Sequence, residues 1–572
     1  GQAVVERNLP YHCLLSNYLS LTEGAMAGLV AHPFSESHDS DLKTIDPDIP
    51  LPTESVEEVV DRVMSGTFSG QSPLIVKNVP KEKDLYRHIK KTLIHARGCT
   101  AVNLVSRSIE LGKSVVLIQS DPDMESLAAD LVREDPRHAL ICIGGNTSDE
   151  SYLNALSVLS IAESERVASL HPGIGFLSED PNFAYLVRQK GINFIGPPVV
   201  SMETMGNKSN AINTTMSIDV PVVPGSHGIV DNSETAAEIS EQIGYPVLLK
   251  AVHGGGGKGI QVVEEPEQLH RLFHQVSTEA KAAFGNGDLY IEKFVTSLRH
   301  IEAQLIRDKF GNSRVIGIRD CSVQRNNQKI MEESGSVLLP KELNQAVRNY
   351  AEKIGDSVDY VGVGTVEFIH DVPNDAIYFM EMNTRLQVEH PVTEAVTGVN
   401  IVEKQFEISE GRSIAKMKAS EKGYALEVRV NAEKLVIDSL GKISFQPTPG
   451  EVTKCFLPED KNIRTISMIA EGKFIPPFYD SLVIQIISYG KNRKDSIDKM
   501  STYLEKVVIN GICTNIPILK KILKDNIFIE GGYDTGYLDD FLARISFDEI
   551  SAEIEEASGG KRLGLDIETL KI

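Results

Sequence analysis

The chain has 572 residues, 41% hydrophobic and 24% charged, too long for one core, so three or four domains of an ordinary globular protein are expected. Its 80 acidic and 58 basic residues leave a formal net charge of −22, which argues against nucleic acid or an anionic membrane as the main partner. Six cysteines without a CxxC pair fit reduced structural thiols in the cytoplasm, and no apolar run reaches transmembrane length.

Residues 1–90 form an N-terminal extension to which no chemistry attaches. The N-terminus carries no basic segment followed by an apolar one, so no signal peptide is expected. Ala31 to Pro52 reads as a loop, and Ser55–Met64 as a short amphipathic helix with Val56, Val59, Val60 and Val63 on one face. From Lys91 the pattern becomes α/β. Thr92–His95 predicts a strand, about Thr100 to Leu111 a helix, and Ser114–Ile118, Ala139–Ile143 and Asn193–Pro198 further strand units. Strands alternating with helices imply a parallel, doubly wound sheet. Between them, His171–Glu179 is a Gly-rich turn running towards a helix.

An acidic protein that handles phosphates must gather its cations locally, so basic residues beside glycines carry weight. Tyr245–Lys250 predicts a strand, followed by Gly254, Gly255, Gly256, Gly257, Lys258 and Gly259, and then a second strand from Ile260 to Val263. Gly259 stands where a Walker loop has Ser or Thr, and a strand follows where a dinucleotide fingerprint has a helix. Four glycines between Lys250 and Lys258 predict a phosphate lid, because backbone N–H groups can approach phosphate oxygens there. Tyr290–Val295 and Arg299–Leu305 follow, the latter a strand with His300, Glu302 and Gln304 on one face. Asp320–Lys329 is a donor-rich polar run, and Gly364–Ile369 adds the carboxylate of Glu367.

The stretch Phe379–His390 alternates Glu381, Asn383, Arg385, Gln387 and Glu389 with Met380, Met382, Thr384, Leu386 and Val388. One face is therefore polar and the other can be buried. Carboxylate and amide oxygens are hard-cation ligands. A straight strand would separate Glu381 from Glu389 by about 26 Å, at roughly 3.3 Å per step, so the chain is expected to bend near Leu386–Val388.

Taken in order, these motifs resemble the biotin carboxylase component of biotin-dependent carboxylases, an ATP-grasp family. The resemblance runs from about Lys91 to Leu542. It is carried by His171–Glu179, Phe194–Pro198, Lys250–Gly259, Glu292–Glu302, Arg319–Lys329, Gly364–Phe368 and Glu381–Glu394, then Glu427–Glu433, Pro476–Ser481 and Gly511–Asn515. It implies an α/β fold of three parts: a Rossmann-like (pre-ATP-grasp) domain at 91–205, an ATP-grasp domain at 206–423 with a mobile lid at about 247–300, and a C-terminal biotin carboxylase domain at 424–545. Residues 546–572 would be a tail or linker.

The resemblance also implies roles. Lys208, Lys250 and Gly254–Gly257 would bind ATP phosphates; Glu292, Lys293 and Val295 would line the adenine edge; His300, Gln324 and Asn327 would contact the nucleotide. Glu367 and Glu381, with Asn383, would hold Mg²⁺ or Mn²⁺. Lys329, Arg385, Gln387 and the Val388 backbone would bind bicarbonate. Glu389 would deprotonate bicarbonate to give carboxyphosphate, and Arg429 would stabilise the biotin enolate. Biotin would arrive on a carrier, because Ala415–Lys418 lacks the Met-Lys-Met pattern of a biotinyl hairpin. Carrier and carboxyltransferase would then lie on the same longer polypeptide or on partner subunits, an acyl-CoA would be the final acceptor, and a homo-oligomer remains open.

Several positions depart from the family pattern. Cys99 stands for a usual Glu, Asn103 for an Arg associated with dimer contacts, Asn326 and Asn327 for Arg and His, Ile318 for Glu, Ser334–Ser336 for an Ala-Pro-rich turn, and Gln485 for Lys. The competing expectations are a different ATP-grasp carboxylate ligase, independent of biotin, and a degenerate module kept for scaffolding or regulation.

Overall fold

The structure is a computed structural model that describes residues 86–545, apart from 227, 256, 257, 285, 336, 337 and 438–442. The expected helix Ser55–Met64, the rest of the extension to residue 85, the middle glycines Gly256 and Gly257, and the tail from 546 lie outside the described residues.

Five strands, β1 (Lys91–Ile94), β2 (Ser114–Gln119), β3 (Ala139–Cys142), β4 (Ser169–His171) and β5 (Asn193–Phe194), pair in the order β3-β2-β1-β4-β5. All four pairings are parallel, as the alternation with helices predicts. Val115, Val116, Leu117 and Ile118 of β2 are buried without interruption, the mark of a sheet covered on both faces. The helix after β1 spans Gly98–Glu110 and begins two residues before the expected Thr100, because Gly98 takes φ +59 and turns the chain at once. After β4, Gly173 at φ +66 lies against the end of β1, where an added Cβ would sit 2.5 Å from the His95 carbonyl oxygen. Gly173→Ala is therefore expected to cost about 1–3 kcal/mol of stability, read as a lowered thermal midpoint; an unchanged midpoint would refute this packing.

A second, smaller sheet has the order β7-β6-β8, built from β6 (Val247–Gly255), β7 (Lys258–Val263) and β8 (Leu289–Lys293) in antiparallel pairing. With the helices Ser233–Ile243 and Pro266–Phe284 it has its own core, which includes Ala236, Val247, Leu249, Val263, Leu269, Val276 and Ile291. The helix Ser233–Ile243 belongs to this unit, while His300 lies on a strand of the main sheet.

That main sheet has eight antiparallel strands. β9 (Leu298–Arg307), β10 (Ser313–Arg325), β11 (Gln328–Ser334), β12 (Gly362–Asp371), β13 (Ala376–Asn383) and β14 (Tyr424–Asn431) pair in the order β13-β12-β9-β10-β11-β14. The strands Leu482–Gly490 and Ile463–Ser467 complete the far edge. β11 and β14 pair directly, Met331 opposite Val428 and Glu332 opposite Glu427. The segments read from sequence as an ATP-grasp domain and a C-terminal domain thus share one continuous sheet. β10 and β11 meet in a two-residue turn, Asn326 at φ +48 and Asn327 at φ +64, a geometry that asparagine tolerates better than other side chains.

Candidate active site

Strand register builds the centre of the site. Glu381 of β13 lies opposite Glu367 of β12, Glu367 opposite Glu302 of β9, and Glu302 opposite Arg319 of β10. Like charges directly across a sheet repel, so three adjacent carboxylates persist only if cations meet them. Arg319, fully buried, meets the row from one end with all five of its donors. Nε binds Glu302 at 2.9 Å, Nη1 binds Gln304 at 2.7 Å and Thr393 at 3.1 Å, and Nη2 binds Thr365 at 3.1 Å and Gln387 at 3.0 Å. Lys329 comes from β11 and pairs with Glu302, with Glu367 at 3.2 Å and with Glu389 at 2.7 Å. His300 Nε2 stands 3.2 Å from Glu302 and 3.0 Å from Glu367.

The charges shift accordingly. Burial opposes ionisation of Glu302 and Glu367, yet Lys329, with Arg319 for the first and His300 for the second, holds both well below the usual carboxylate range. Burial likewise opposes a charged His300, but Glu367 and Glu302 hold its imidazolium up to about 9. Glu381 is pushed upward, first by burial and then by Glu367, with only partial relief from Lys208. A hard divalent cation would relieve this end of the row. The carboxylates of Glu367 and Glu381, opposite each other across β12 and β13, are oxygen donors that fit such an ion.

The expected bend is real but comes earlier than Leu386–Val388. β13 stops at Asn383, and Glu389 caps a helix over His390–Thr397. Arg385 is therefore outside the strand. Glu179, from the Gly-rich turn after β4, takes the Thr384 N–H at 2.9 Å and Arg385 Nε at 2.8 Å and pulls the chain out of the sheet. Arg385 Nη2 also donates to Asn383 Oδ1 at 3.2 Å, and the Asn383 and Gln387 amides donate to Glu367 at 2.8 and 2.6 Å. The Asn383 amide is thus engaged between Glu367 and Arg385.

The turn returns Glu389 to the row, buried, between Lys329 at 2.7 Å and Arg429 at 3.0 Å. Burial raises its affinity for a proton, but Lys329 and Arg429 prevail and keep it below the ordinary range, hence ionised at neutral pH. Arg429, on β14, also pairs with Glu332 at 2.5 Å, and Asn515 fixes its backbone carbonyl at 2.9 Å. Gln324 Nε2 lies 3.0 Å from His300 Nδ1 and donates to the Cys321 carbonyl at 2.8 Å.

His300, Gln324, Lys329, Glu367, Glu381, Asn383, Gln387, Glu389 and Arg429 are thereby brought together around one row. Lys250 and Glu292 form an ion pair on the smaller sheet, and Lys293 Nζ donates to the carbonyls of Gly244 at 2.8 Å and Tyr245 at 3.1 Å. Val295 is buried, Gly254 and Gly255 end β6, and Lys208 opens the exposed first turn of a helix over Lys208–Ser217. Asn327 is exposed at the hairpin tip, and the turn itself accounts for it. Sequence reasoning gave no role to Arg319, although an arginine directly after Val315–Ile318 in a strand was a visible signal. It also left Glu302, Glu332 and Glu179 without roles, because their partners are remote in the chain.

Family models match in chain order: the biotin carboxylase N-terminal domain over residues 88–202, the carbamoyl-phosphate synthase L chain ATP binding domain over 207–417, and the biotin carboxylase C-terminal domain over 427–540. Biotin carboxylase 1 of Bacillus subtilis is 40% identical over 455 residues, 79% of this chain and 99% of that protein. The chain belongs to the biotin carboxylase family. It is an ATP-dependent ligase that carboxylates biotin.

Solved biotin carboxylases agree in fold. A Campylobacter jejuni biotin carboxylase in complex with a β,γ-ATP ligand superposes with a TM-score of 0.72 at 38% identity, covering 79% of this chain and 99% of that one. The biotin carboxylase domain dimer of Hydrogenobacter thermophilus 2-oxoglutarate carboxylase, with MgADP, ADP and bicarbonate, gives 0.71 at 37% identity, covering 80% and 100%. Two departures from the biotin carboxylase pattern are internal here. Cys99 packs in the core beside β14 and the far strands, and Asn103 is buried between His390 at 3.1 Å and Arg464 at 3.0 Å. No helix among the described residues is long and apolar enough to cross a membrane.

Proposed function

We propose that this biotin carboxylase works through carboxyphosphate as one module of an acyl-CoA carboxylase in the cytoplasm, with carrier and carboxyltransferase partners. The observation that carries the mechanism is the placement of Glu389 between Lys329 and Arg429, one buried carboxylate flanked by two cations. Lys329, Arg385, Gln387 and the Val388 backbone hold bicarbonate, the guanidinium suiting a planar oxyanion. Glu389, kept ionised by its neighbours, takes the bicarbonate proton as bicarbonate attacks the γ-phosphate.

Lys208, Lys250 and the Gly254–Gly257 backbone bind the phosphates; Glu292, Lys293 and Val295 follow the adenine, and His300, Gln324 and Asn327 contact the nucleotide. Glu367 and Glu381, with Asn383 beside them, would hold a divalent metal ion, which would supply charge neutralisation at the phosphates. Carboxyphosphate then yields CO2 and phosphate, and the phosphate removes the biotin N1′ proton. Arg429 stabilises the ureido enolate, a charge that develops only during reaction. Carboxyphosphate hydrolyses in water, so the site must close, which is the task assigned to the smaller sheet unit.

ADP release measured with Mg²⁺, ATP and bicarbonate, with and without biotin, tests the reading. Turnover should depend on biotin, and a full rate without it would refute the proposal. Arg429→Ala should lower biotin carboxylation by about 10²–10³-fold while ATP still binds, as expected for a donor aimed at developing charge. Carboxylation retained in that variant would remove the enolate assignment. Since a 2-oxoglutarate carboxylase is among the relatives, the acceptor is tested by offering the assembled enzyme an acyl-CoA against a 2-oxo acid.

A further inference from the structure

The strand Leu482–Gly490 lies on the side of β14 away from β11, and its register sets Gln485 opposite Arg429. Gln485 is buried, and its amide nitrogen donates both to the Val388 carbonyl at 2.8 Å and to Glu427 Oε1 at 2.7 Å. The first bond grips the peptide group that joins Val388 to Glu389. The second grips a carboxyl group with no cation of its own.

Glu427 and Glu332 are fully buried and directly opposite each other across β14 and β11. Arg429, the cation nearest to both, is engaged by Glu332 at 2.5 Å and by Glu389 at 3.0 Å. Neither Glu427 Oε2 nor Glu332 Oε2 has a hydrogen-bond partner among the described residues. The other titratable groups facing Glu427 are Glu389 from the turn and Cys99 from the helix Gly98–Glu110, whose thiol burial pushes up to about 12. Lys329 acts on Glu332 from the far side. Two carboxyl groups buried face to face, with one guanidinium already engaged, cannot both ionise without a large desolvation and repulsion cost.

We propose that Glu427 is a neutral carboxylic acid in the folded protein and that Gln485 is a positioning residue, tying that acid to the Val388–Glu389 peptide and so aiming Glu389. The second half rests on the biotin carboxylase reading of Glu389; the first does not. Electrostatics agree, since burial and then Glu332 drive Glu427 well above the usual range, and burial, partly relieved by Arg429, leaves Glu332 at about 7. A lysine at 485 would favour ionised Glu427, whereas an amide donates to the acid without charging it. Gln485 and Cys99 are both departures from the family pattern, and both put an uncharged side chain beside Glu427.

The test compares the full chain with its Glu427→Gln, Gln485→Lys and Gln485→Met variants. Infrared spectroscopy at neutral pH should detect a protonated-carboxyl C=O band in the wild type that is absent from Glu427→Gln and lost in Gln485→Lys. Gln485→Met keeps the shape but not the donor, so kcat/KM for bicarbonate should fall about fivefold at every accessible pH, the cost of one neutral hydrogen bond. The KM for ATP should not move in that variant. A carbonyl region identical in wild type and Glu427→Gln overturns the neutral acid, and wild-type kcat/KM for bicarbonate in Gln485→Met overturns the positioning role. The infrared comparison needs no turnover, so it stands if Gln485→Met fails to fold. Wild-type turnover that ignores biotin would sink the functional reading and leave the infrared result intact.

Discussion

Glu389→Gln should lower biotin-dependent ADP release by about 10²–10⁴-fold, the range expected when a general base is removed. The substitution keeps the size of the side chain, so Leu386, buried in the same turn, and the helix His390–Thr397 should stay in place. What is lost is a carboxylate that Lys329 and Arg429 keep ionised despite burial. An amide cannot accept the bicarbonate proton, and its NH2 group would face one of the two cations. ATP should still bind, since Glu389 belongs to the turn beyond the carboxylate row and not to the smaller sheet. The measurement is a steady-state rate with saturating ATP and bicarbonate, beside nucleotide binding by calorimetry. Activity above about a tenth of wild type would show that the proton goes elsewhere.

Arg319→Ala is expected to be the most damaging single change to the fold, costing about 3–5 kcal/mol, as when one partner of a buried ion pair is removed. The arginine is fully buried, and its donors serve Glu302, Gln304, Thr365, Gln387 and Thr393. Its loss would leave Glu302 beside Glu367 with less compensating charge and would free Gln387, which holds Glu367 at 2.6 Å. Arg319→Lys should restore little, because an ammonium has three donors and no planar fork. Denaturant midpoints of wild type and both variants decide the point. A loss below about 1 kcal/mol for the alanine variant would mean that the row is held by Lys329 and His300 without it.

Much of this was legible from residues alone. Strands alternating with helices disclosed the parallel sheet over β1–β5, since parallel neighbours need a crossover connection. Period-2 alternation disclosed β13, and the length of a strand step showed that Glu381 and Glu389 cannot serve one reaction without a bend. The position of the bend was not legible. It depends on Glu179, some two hundred residues earlier, capturing Thr384 and Arg385. The sheet to which His300 belongs was hidden for a similar reason. His300 follows β8 closely in sequence, but its backbone pairs with β12, where Ile369 lies opposite it.

The sequence by itself determined the family, the order of the motifs and the kinds of group that phosphate, metal and bicarbonate chemistry need, because each is written in short runs of adjacent residues. Only the tertiary structure decided which charges meet. The row Glu381–Glu367–Glu302–Arg319 exists through register across four strands, and the place of Lys329 and Arg429 on either side of Glu389 through the pairing of β11 with β14. Electrostatic energy falls with distance in space and is indifferent to distance along the chain.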